Sequence, residues 1–256
     1  MINQIGIRGD FPMRIITKMA QIFFSVALLG ITVQAGPMIE LPEDTFDWGK
    51  VCQRATISHS FWIKSVGDDT LRILKVVPGC GCTKAPLMDS VLAPGDSTRL
   101  DILFSTKSYR GLVTKRPYLE TNISDEKIYL KIKSHLITNP EKDLPLLLQP
   151  QKLHVAQVTE KPRRIAKFLI ENRGNRDYKI TPIDWAKDFF DVNLPEIIKA
   201  GETVEGSIKV HEDKILEEFN HSLTFSIDDK DQTRYTIPVE RMVRIKKRDA
   251  AGNSSN

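Results

Sequence analysis

The feature that most constrains the fold of this chain is an internal repeat, because the sequence matches itself when it is shifted by 107 residues. After one deletion, the match resumes with a shift of 106. The aligned pairs are Phe61 with Phe168, Gly67 with Gly174, Leu71 with Tyr178, Ile73 with Ile180, Val76 with Ile183, Gly95 with Gly201 and Ile102 with Ile208. The repeat predicts a tandem duplication of one domain of about 100 residues.

Each copy shows the two-residue apolar period that is typical of half-buried strands. In the first copy, Ile57, Phe61 and Ile63 alternate with polar residues, and turn residues such as Gly67-Asp68-Asp69 separate the apolar runs. No segment shows a sustained helical stripe; the best candidate, residues 212–218, is only a couple of turns long. Several short strands in about 100 residues predict an all-β protein of two tandem Ig-like β-sandwich domains.

The N-terminal residues have the order of a secretory signal. Residues 13–18 form a short basic segment with Arg14 and Lys18, Ile22 to Val33 is a mostly apolar run, and small residues precede Gly36. We therefore expect cleavage after Ala35 and a periplasmic or secreted mature chain. The apolar run is shorter than the roughly 20 residues needed for a membrane-spanning helix, so no membrane span is expected in the mature chain.

Five segments follow from the signal, the repeat and the composition. They are the signal peptide at 1–35, an Ig-like domain with a Cys-Gly-Cys motif at 36–138, a linker at 139–146, a second and diverged Ig-like domain at 147–244, and a disordered tail at 245–256. The basic cluster Arg241, Arg244, Lys246, Lys247 and Arg248 is interpreted as a solvated end. Removal of the signal lowers the formal charge from +4 to +2, which gives no electrostatic basis for binding nucleic acid.

Several residues of the first copy resemble a known bacterial family. They are Phe61, Ser65-Val66-Gly67, Leu71, Ile73, Cys80-Gly81-Cys82-Thr83, Pro94-Gly95-Asp96, Phe104, Gly111 and Thr121-Asn122. In this order and spacing, they resemble the family called domain of unknown function 1573, which is related in fold to the Ig-like domains of the ASH, major sperm protein and PapD group. Ser65 departs from the family, which usually has Asn there, as the second copy does at Asn172. The resemblance implies a secreted or periplasmic Ig-like module and no known reaction.

The three cysteines, Cys52, Cys80 and Cys82, occur only in the first copy. The chain reversal near Gly67 is expected to bring Cys52 close to the other two, and an oxidising compartment then predicts a disulfide from Cys52 to Cys80 or Cys82. One thiol is left over, which keeps two alternatives open. The three thiolates with His59 are candidate ligands for Cu(I) or Zn(II), and the Cys-Gly-Cys motif is a candidate redox site.

Other signals for catalysis are weak. The five histidines are scattered, no phosphate-binding loop or nucleophile elbow is found, and no catalytic residue or cofactor is predicted. Trp48, Trp62 and Trp185 are candidates for sugar stacking, although core or inter-domain packing is the commoner role. The sequence thus predicts a non-catalytic binding or structural module for a protein or cell-envelope component. A thiol or metal-handling protein and a PapD-like periplasmic chaperone are the alternatives.

Overall fold

The computed structural model describes residues 36–142, 145–158 and 162–244. The expected signal peptide at 1–35 and the expected tail at 245–256 lie outside the described residues, as do Lys246, Lys247 and Arg248 of the basic cluster. Within the part of the chain that is described, no helix is long and apolar enough to cross a membrane.

Residues 39–137 form eleven strands, and their buried side chains follow the two-residue period of the sequence. The strands are β1 Ile39–Glu40, β2 Thr45–Cys52, β3 Thr56–Ser65, β4 Leu71–Val77, β5 Thr83–Lys84, β6 Val91–Leu92, β7 Ser97–Ser105, β8 Gly111–Lys115, β9 Tyr118–Thr121, β10 Ile128–Tyr129 and β11 Lys131–Ile137. In β3, for example, Ile57, Phe61 and Ile63 are buried while Trp62 and Lys64 point outward.

Residues 146–243 form nine further strands. They are β12 Leu146–Gln149, β13 Leu153–Gln157, β14 Ile165–Asn172, β15 Tyr178–Trp185, β16 Phe190–Asn193, β17 Ile197–Ile198, β18 Thr203–Val210, β19 Phe219–Ile227 and β20 Arg234–Val243. The described helical segments are single 3-10 turns at Pro140–Lys142 and Glu212–Lys214. The all-β prediction is confirmed.

The strands form four sheets, one of which contains strands from both halves of the chain. Three sheets have the orders β1-β3-β7-β5, β10-β9-β4-β6 and β12-β14-β18-β16. The fourth has the order β17-β15-β19-β20-β2-β11-β8, and β13 also pairs with β20. It is continuous across the halves because β2 and β20 meet at Lys50 and Tyr235.

The two halves repeat the same strand pairing at the spacing seen in the sequence. Phe61 of β3 faces Leu100 of β7, and Phe168 of β14 faces Gly206 of β18. A side chain at Gly206 would come within 3.0 Å of the Phe168 ring, so glycine is required at this close approach. Turn hydrogen bonds repeat as well. The Gly95 amide donates to the Ser65 carbonyl over 2.9 Å, as the Gly201 amide donates to the Asn172 carbonyl over 3.0 Å.

Each half has its own hydrophobic core. The first contains Trp48, Phe61 and Phe104, and the second contains Phe168, Phe190 and Tyr235, all nearly inaccessible to solvent. Burial of such side chains contributes roughly 1.5 to 3 kcal/mol each. The cores therefore account for the alternating pattern in both copies.

Two details differ from the sequence interpretation. Leu146, placed at the end of the linker, is buried in β12, where it pairs with Asn172. Arg241, assigned to a solvated end, is 1% exposed. Its Nη1 donates to the Arg163 carbonyl and its Nη2 to Gln157 Oε1 and the Ile215 carbonyl, whereas its Nε has no hydrogen-bond partner among the described residues. The neighbouring Arg244 is exposed, as expected.

Candidate functional site

The cysteines do not pair as the sequence suggested. Cys80 and Cys82, in the loop between β4 and β5, form a disulfide with each other, and Cys52 at the end of β2 is a free thiol. The expected bridge from Cys52 to Cys80 or Cys82 is therefore wrong. The Cys52 thiol is directed instead towards the second half, where its Sγ lies 3.5 Å from the carbonyl oxygen of Gln151.

The surroundings of the cysteines do not favour a shared thiolate site. Tyr109 contacts both regions, because its carbonyl accepts a hydrogen bond from Gln53 and its hydroxyl donates to Cys82 Sγ over 3.4 Å. Burial raises the pKa of the Cys52 thiol, which disfavours the thiolate form. Among the described residues, no group of three His, Cys, Asp or Glu side chains is arranged to hold a metal ion. The thiol or metal alternative is accordingly not supported.

His59, the residue considered with the cysteines, lies instead at the contact between the two halves. Its Nε2 is 3.1 Å from Glu43 Oε2, and its Nδ1 is 2.8 Å from Asp184 Oδ2. Its ring is buried and stacks on Phe46 at 3.6 Å between centroids. Desolvation lowers the pKa of His59, but hydrogen bonds to Asp184 and Glu43 and the attraction of both carboxylates outweigh it, so the pKa is raised.

His221 lies near the same contact and has the opposite electrostatic character. Its Nδ1 is 3.3 Å from Ser58 Oγ, and its ring packs against Phe189 and Phe219. Burial lowers the pKa of His221 to about 4. The nearby Asp101 carboxylate acts to raise this pKa, and the Arg99 guanidinium acts to lower it. At neutral pH, therefore, the contact carries a neutral imidazole at His221 beside a site that favours an imidazolium at His59.

A cleft of about 230 Å³ opens beside these two histidines, and we call it the junction cleft. Ser60, Trp62, Arg99 and Asp101, on the outer face of β3 and β7, line one wall. Trp185, Lys187, Asp188 and His221 line the wall that the second half supplies. Arg99 joins the walls, because its Nη1 lies 2.8 Å from Asp188 Oδ2.

A second surface lies at strand β8, which forms the edge of the sheet shared by both halves. β8 pairs with β11, with His135 opposite Leu112 and Lys133 opposite Thr114. Among the described strands, none pairs with the second edge of β8, so this edge is open.

The side chains around β8 give this edge a definite character. Leu112 is 86% exposed, the highest exposure among the large hydrophobic side chains described. Residues 105–119 contain four basic residues, Lys107, Arg110, Lys115 and Arg116, and no Asp or Glu. A groove of about 700 Å³ crosses the face of the sheet from β8 over β11 and β2 to the start of β20, and Lys133 and Arg234 contribute positive charge to it while Asp47 and Asp231 contribute negative charge.

Sequence reasoning found parts of these surfaces and missed others. It identified Trp62, Trp185 and His59 as notable residues, but it did not place them together. It did not identify β8 as an edge. The available signal was the run of 105–119 without acidic residues, in which Gly111, at a positive φ of 64°, precedes a short apolar stretch.

Comparison with known proteins identifies the first half. Residues 39–136 match the family model described as Protein of unknown function (DUF1573). No curated protein matches the sequence. Among solved structures, the chain is similar to a protein of unknown function from Porphyromonas gingivalis W83, with 12% identity over 80% of this chain and 99% of that chain, at a TM-score of 0.34.

The chain is also similar to the ASH/PapD-like domain 7 of human CEP192, with 11% identity over 43% of this chain and 98% of that chain, at a TM-score of 0.33. The family match covers the cysteine motif, the Pro-Gly turn and the residues that carried the resemblance in the sequence. The resemblance is confirmed, because residues 39–136 of this chain match the DUF1573 family model.

Proposed function

We propose that this protein is a non-catalytic binding module of the periplasm or cell exterior, and that it binds an extended acidic segment of a partner protein along the open edge of β8. The compartment rests on the signal-like order of residues 13–35. The open edge of β8 in the shared sheet is the observation that carries the binding mode.

An open edge presents backbone N–H and C=O groups that an added strand can pair with. Natural proteins often protect such edges with charge, and the lysines and arginines around β8 have that effect on a second basic or neutral strand. The same charges attract a strand with acidic side chains. The exposed Leu112 side chain supplies an apolar contact for alternate residues of the added strand.

The position of β8 also supports a role in binding. Its partner β11 pairs with β2, and β2 meets β20 of the second half at Lys50 and Tyr235. The groove beside β8 is therefore built from both halves, because Lys133 belongs to the first and Arg234 to the second.

The test uses the mature chain and two synthetic eight-residue peptides, one alternating valine with glutamate and one alternating valine with lysine. We expect the acidic peptide to bind more tightly, with an affinity that falls as salt is added. Bound peptide should slow hydrogen exchange at the amides of β8, because half of them face the open edge. Failure of the acidic peptide to bind, or protection confined to other strands, would contradict the proposal.

Leu112→Glu provides the matched variant, since it places a negative charge on the exposed face of β8. We expect it to weaken binding of the acidic peptide at least tenfold without altering stability. Leu216→Glu is the control, because Leu216 is also well exposed, at 65%, but lies in the loop before β19. Equal affinities of the two variants would remove β8 from the binding surface.

A further inference from the structure

The geometry of the junction cleft points to a second binding site, and we propose that it binds a neutral sugar ring. The cleft is separate in its residues from the surface at β8. The inference does not depend on the function proposed above. It rests on an exposed tryptophan, a fixed polar network, a set of paired charges and the size of the cleft.

Trp62 supplies the apolar platform. It stands on the outer face of β3, is 51% exposed, and lies opposite Arg99 of β7 in the sheet. The other large tryptophan of the first half, Trp48, is fully buried and donates its indole N–H to the Ser58 carbonyl, so it has a structural role. A half-exposed indole inside a concave site offers a flat apolar face of the kind that the C–H face of a pyranose covers.

A fixed polar network lies directly beside Trp62. Ser60 Oγ donates to Asp101 Oδ1 over 2.7 Å, and Arg99 Nε lies 3.0 Å from the same carboxylate oxygen. Arg99 Nη1 also contacts Asp188 across the cleft. These contacts hold the donors and acceptors in place before a ligand arrives, which lowers the entropic cost of binding. Each carboxylate retains lone pairs that can accept from ligand hydroxyls.

The charges in the cleft favour a neutral ligand. Arg99 pairs with Asp101 and Asp188, and His59 lies between Asp184 and Glu43. A ligand charge that paired with any of these groups would have to displace an existing partner and leave a charge unpaired. A polyhydroxylated neutral ring adds hydrogen bonds to both signs of charge without displacing any of them.

The volume of the cleft limits the ligand to a small one. Drug-sized ligands occupy pockets of roughly 300 to 1,000 Å³, and the junction cleft is smaller, at about 230 Å³. This size suits a single sugar ring with the rest of any longer glycan extending into solvent. Trp185 lines the opposite wall, and Lys187 Nζ lies 4.7 Å from its ring centroid, so a sugar is expected to stack on Trp62 and contact Trp185 at its edge.

The experiment titrates the intact mature chain with N-acetylglucosamine, glucose, galactose, mannose and their β-linked disaccharides, using isothermal titration calorimetry and ligand-observed NMR. We expect saturable binding of at least one of these sugars. Trp62→Ala should weaken it at least tenfold, while Trp62→Phe, which keeps a ring, should retain part of the affinity. Because Trp62 is half exposed, neither variant is expected to impair folding.

Leu112→Ala is the control, since Leu112 is exposed and lies outside the cleft. It should leave sugar binding unchanged, and Trp62→Ala should leave peptide binding at β8 unchanged. The absence of saturable binding by every sugar in the panel would overturn the inference. Binding that Trp62→Ala does not weaken would overturn it as well, because the sugar would then lie elsewhere.

Discussion

Ser58 and Ser222 connect the two halves of the molecule through a reciprocal pair of hydrogen bonds. Ser222 Oγ donates to the Ser58 carbonyl over 2.8 Å and accepts from the Ser58 amide over 3.1 Å. The two residues are 164 positions apart in the sequence. One hydroxyl of β19 thus bonds both backbone groups of a residue in β3, and the Ser58 carbonyl also accepts from the Trp48 indole over 3.1 Å.

Replacement of Ser222 by alanine should therefore destabilise the protein. It leaves the Ser58 amide without this partner, while the Ser58 carbonyl keeps the Trp48 indole as a donor, and one buried unsatisfied polar group costs about 1 to 3 kcal/mol. We expect a lower free energy of unfolding in urea denaturation. Ser97→Ala, at an exposed position of β7, is the control and should have little effect. Equal stability of both variants would show that water replaces the Ser222 hydroxyl without loss.

Asn172 and Ser65 occupy equivalent positions of the repeat, but only Asn172 secures the turns around it. The Asn172 side chain donates to the carbonyls of Arg176 and Lys199 and accepts from the Gly174 amide. The hydroxyl of Ser65 is buried and has no hydrogen-bond partner among the described residues. Ser65, whose side chain is shorter, is the residue that departs from the Asn usual in the family.

Asn172→Ser should consequently lower the free energy of unfolding by about 1 to 3 kcal/mol, since it leaves buried carbonyls unsatisfied. The thermal or urea unfolding transition measures this change. Asn193→Ser, at an exposed end of β16, serves as the control. A loss of stability no larger than that of the control would mean that the turns are held by their backbone hydrogen bonds alone.

The cysteine assignment can be checked by peptide mapping without reduction. Trypsin places Cys80 and Cys82 together in peptide 76–84 and Cys52 in peptide 51–54. We expect peptide 76–84 to be lighter by two hydrogens than its reduced form. Cys52 should react with iodoacetamide slowly in the native protein and rapidly after unfolding, because burial raises its pKa. A peptide that links Cys52 to either other cysteine would contradict the structure.

The sequence predicted the fold where the signal is local and repeated. Alternating residues such as Ile57, Phe61 and Ile63 mark strands, and the shift of 107 residues places Phe61 and Phe168 in equivalent pairs. Contacts between the halves could not be predicted in this way. Ser58 resembles any polar residue on a solvated strand face, and nothing near it in the sequence indicates that Ser222 covers it.

The same limit explains the errors at charged and sulfur-containing residues. Arg241 belongs to a basic cluster that is typical of an exposed terminus, yet strand pairing places it among the carbonyls that it satisfies. The Cys52 thiol was expected to face Cys80 and Cys82, but its side chain is directed towards Gln151. Side-chain direction at the end of a strand depends on tertiary packing, which the sequence pattern does not report.

His221 should make the protein less stable in mild acid. Its folded pKa of about 4 lies below the usual value of 6.5 because of burial, so the unfolded chain binds a proton between these values and the folded protein does not. The part of the free energy of unfolding that depends on a neutral His221 is fully present above about pH 6.5. It is lost as pH falls towards 4, and the loss is on the order of 3 kcal/mol. Urea denaturation across this range should show a shallower slope for His221→Gln. An unchanged slope would refute the assignment.

His59 should produce the opposite dependence at higher pH. Its folded pKa is raised above the usual 6.5, so its stabilising contribution is fully present below that value and is lost as pH rises through the folded pKa. The physical cause is that only the imidazolium donates from both ring nitrogens, to Glu43 of the first half and Asp184 of the second. Above the pKa, one carboxylate faces a ring lone pair.

The measurement is the free energy of unfolding between pH 6 and pH 9, a range chosen to bracket the usual histidine value. The wild type should lose stability with rising pH, and His59→Gln should be less stable at pH 6 and show less pH dependence. His135→Gln, at an exposed position of β11, is the matched control and should keep the wild-type slope. NMR titration of the His59 ring gives the decisive value, since a midpoint below 6.5 would mean that burial, rather than the two carboxylates, controls its charge.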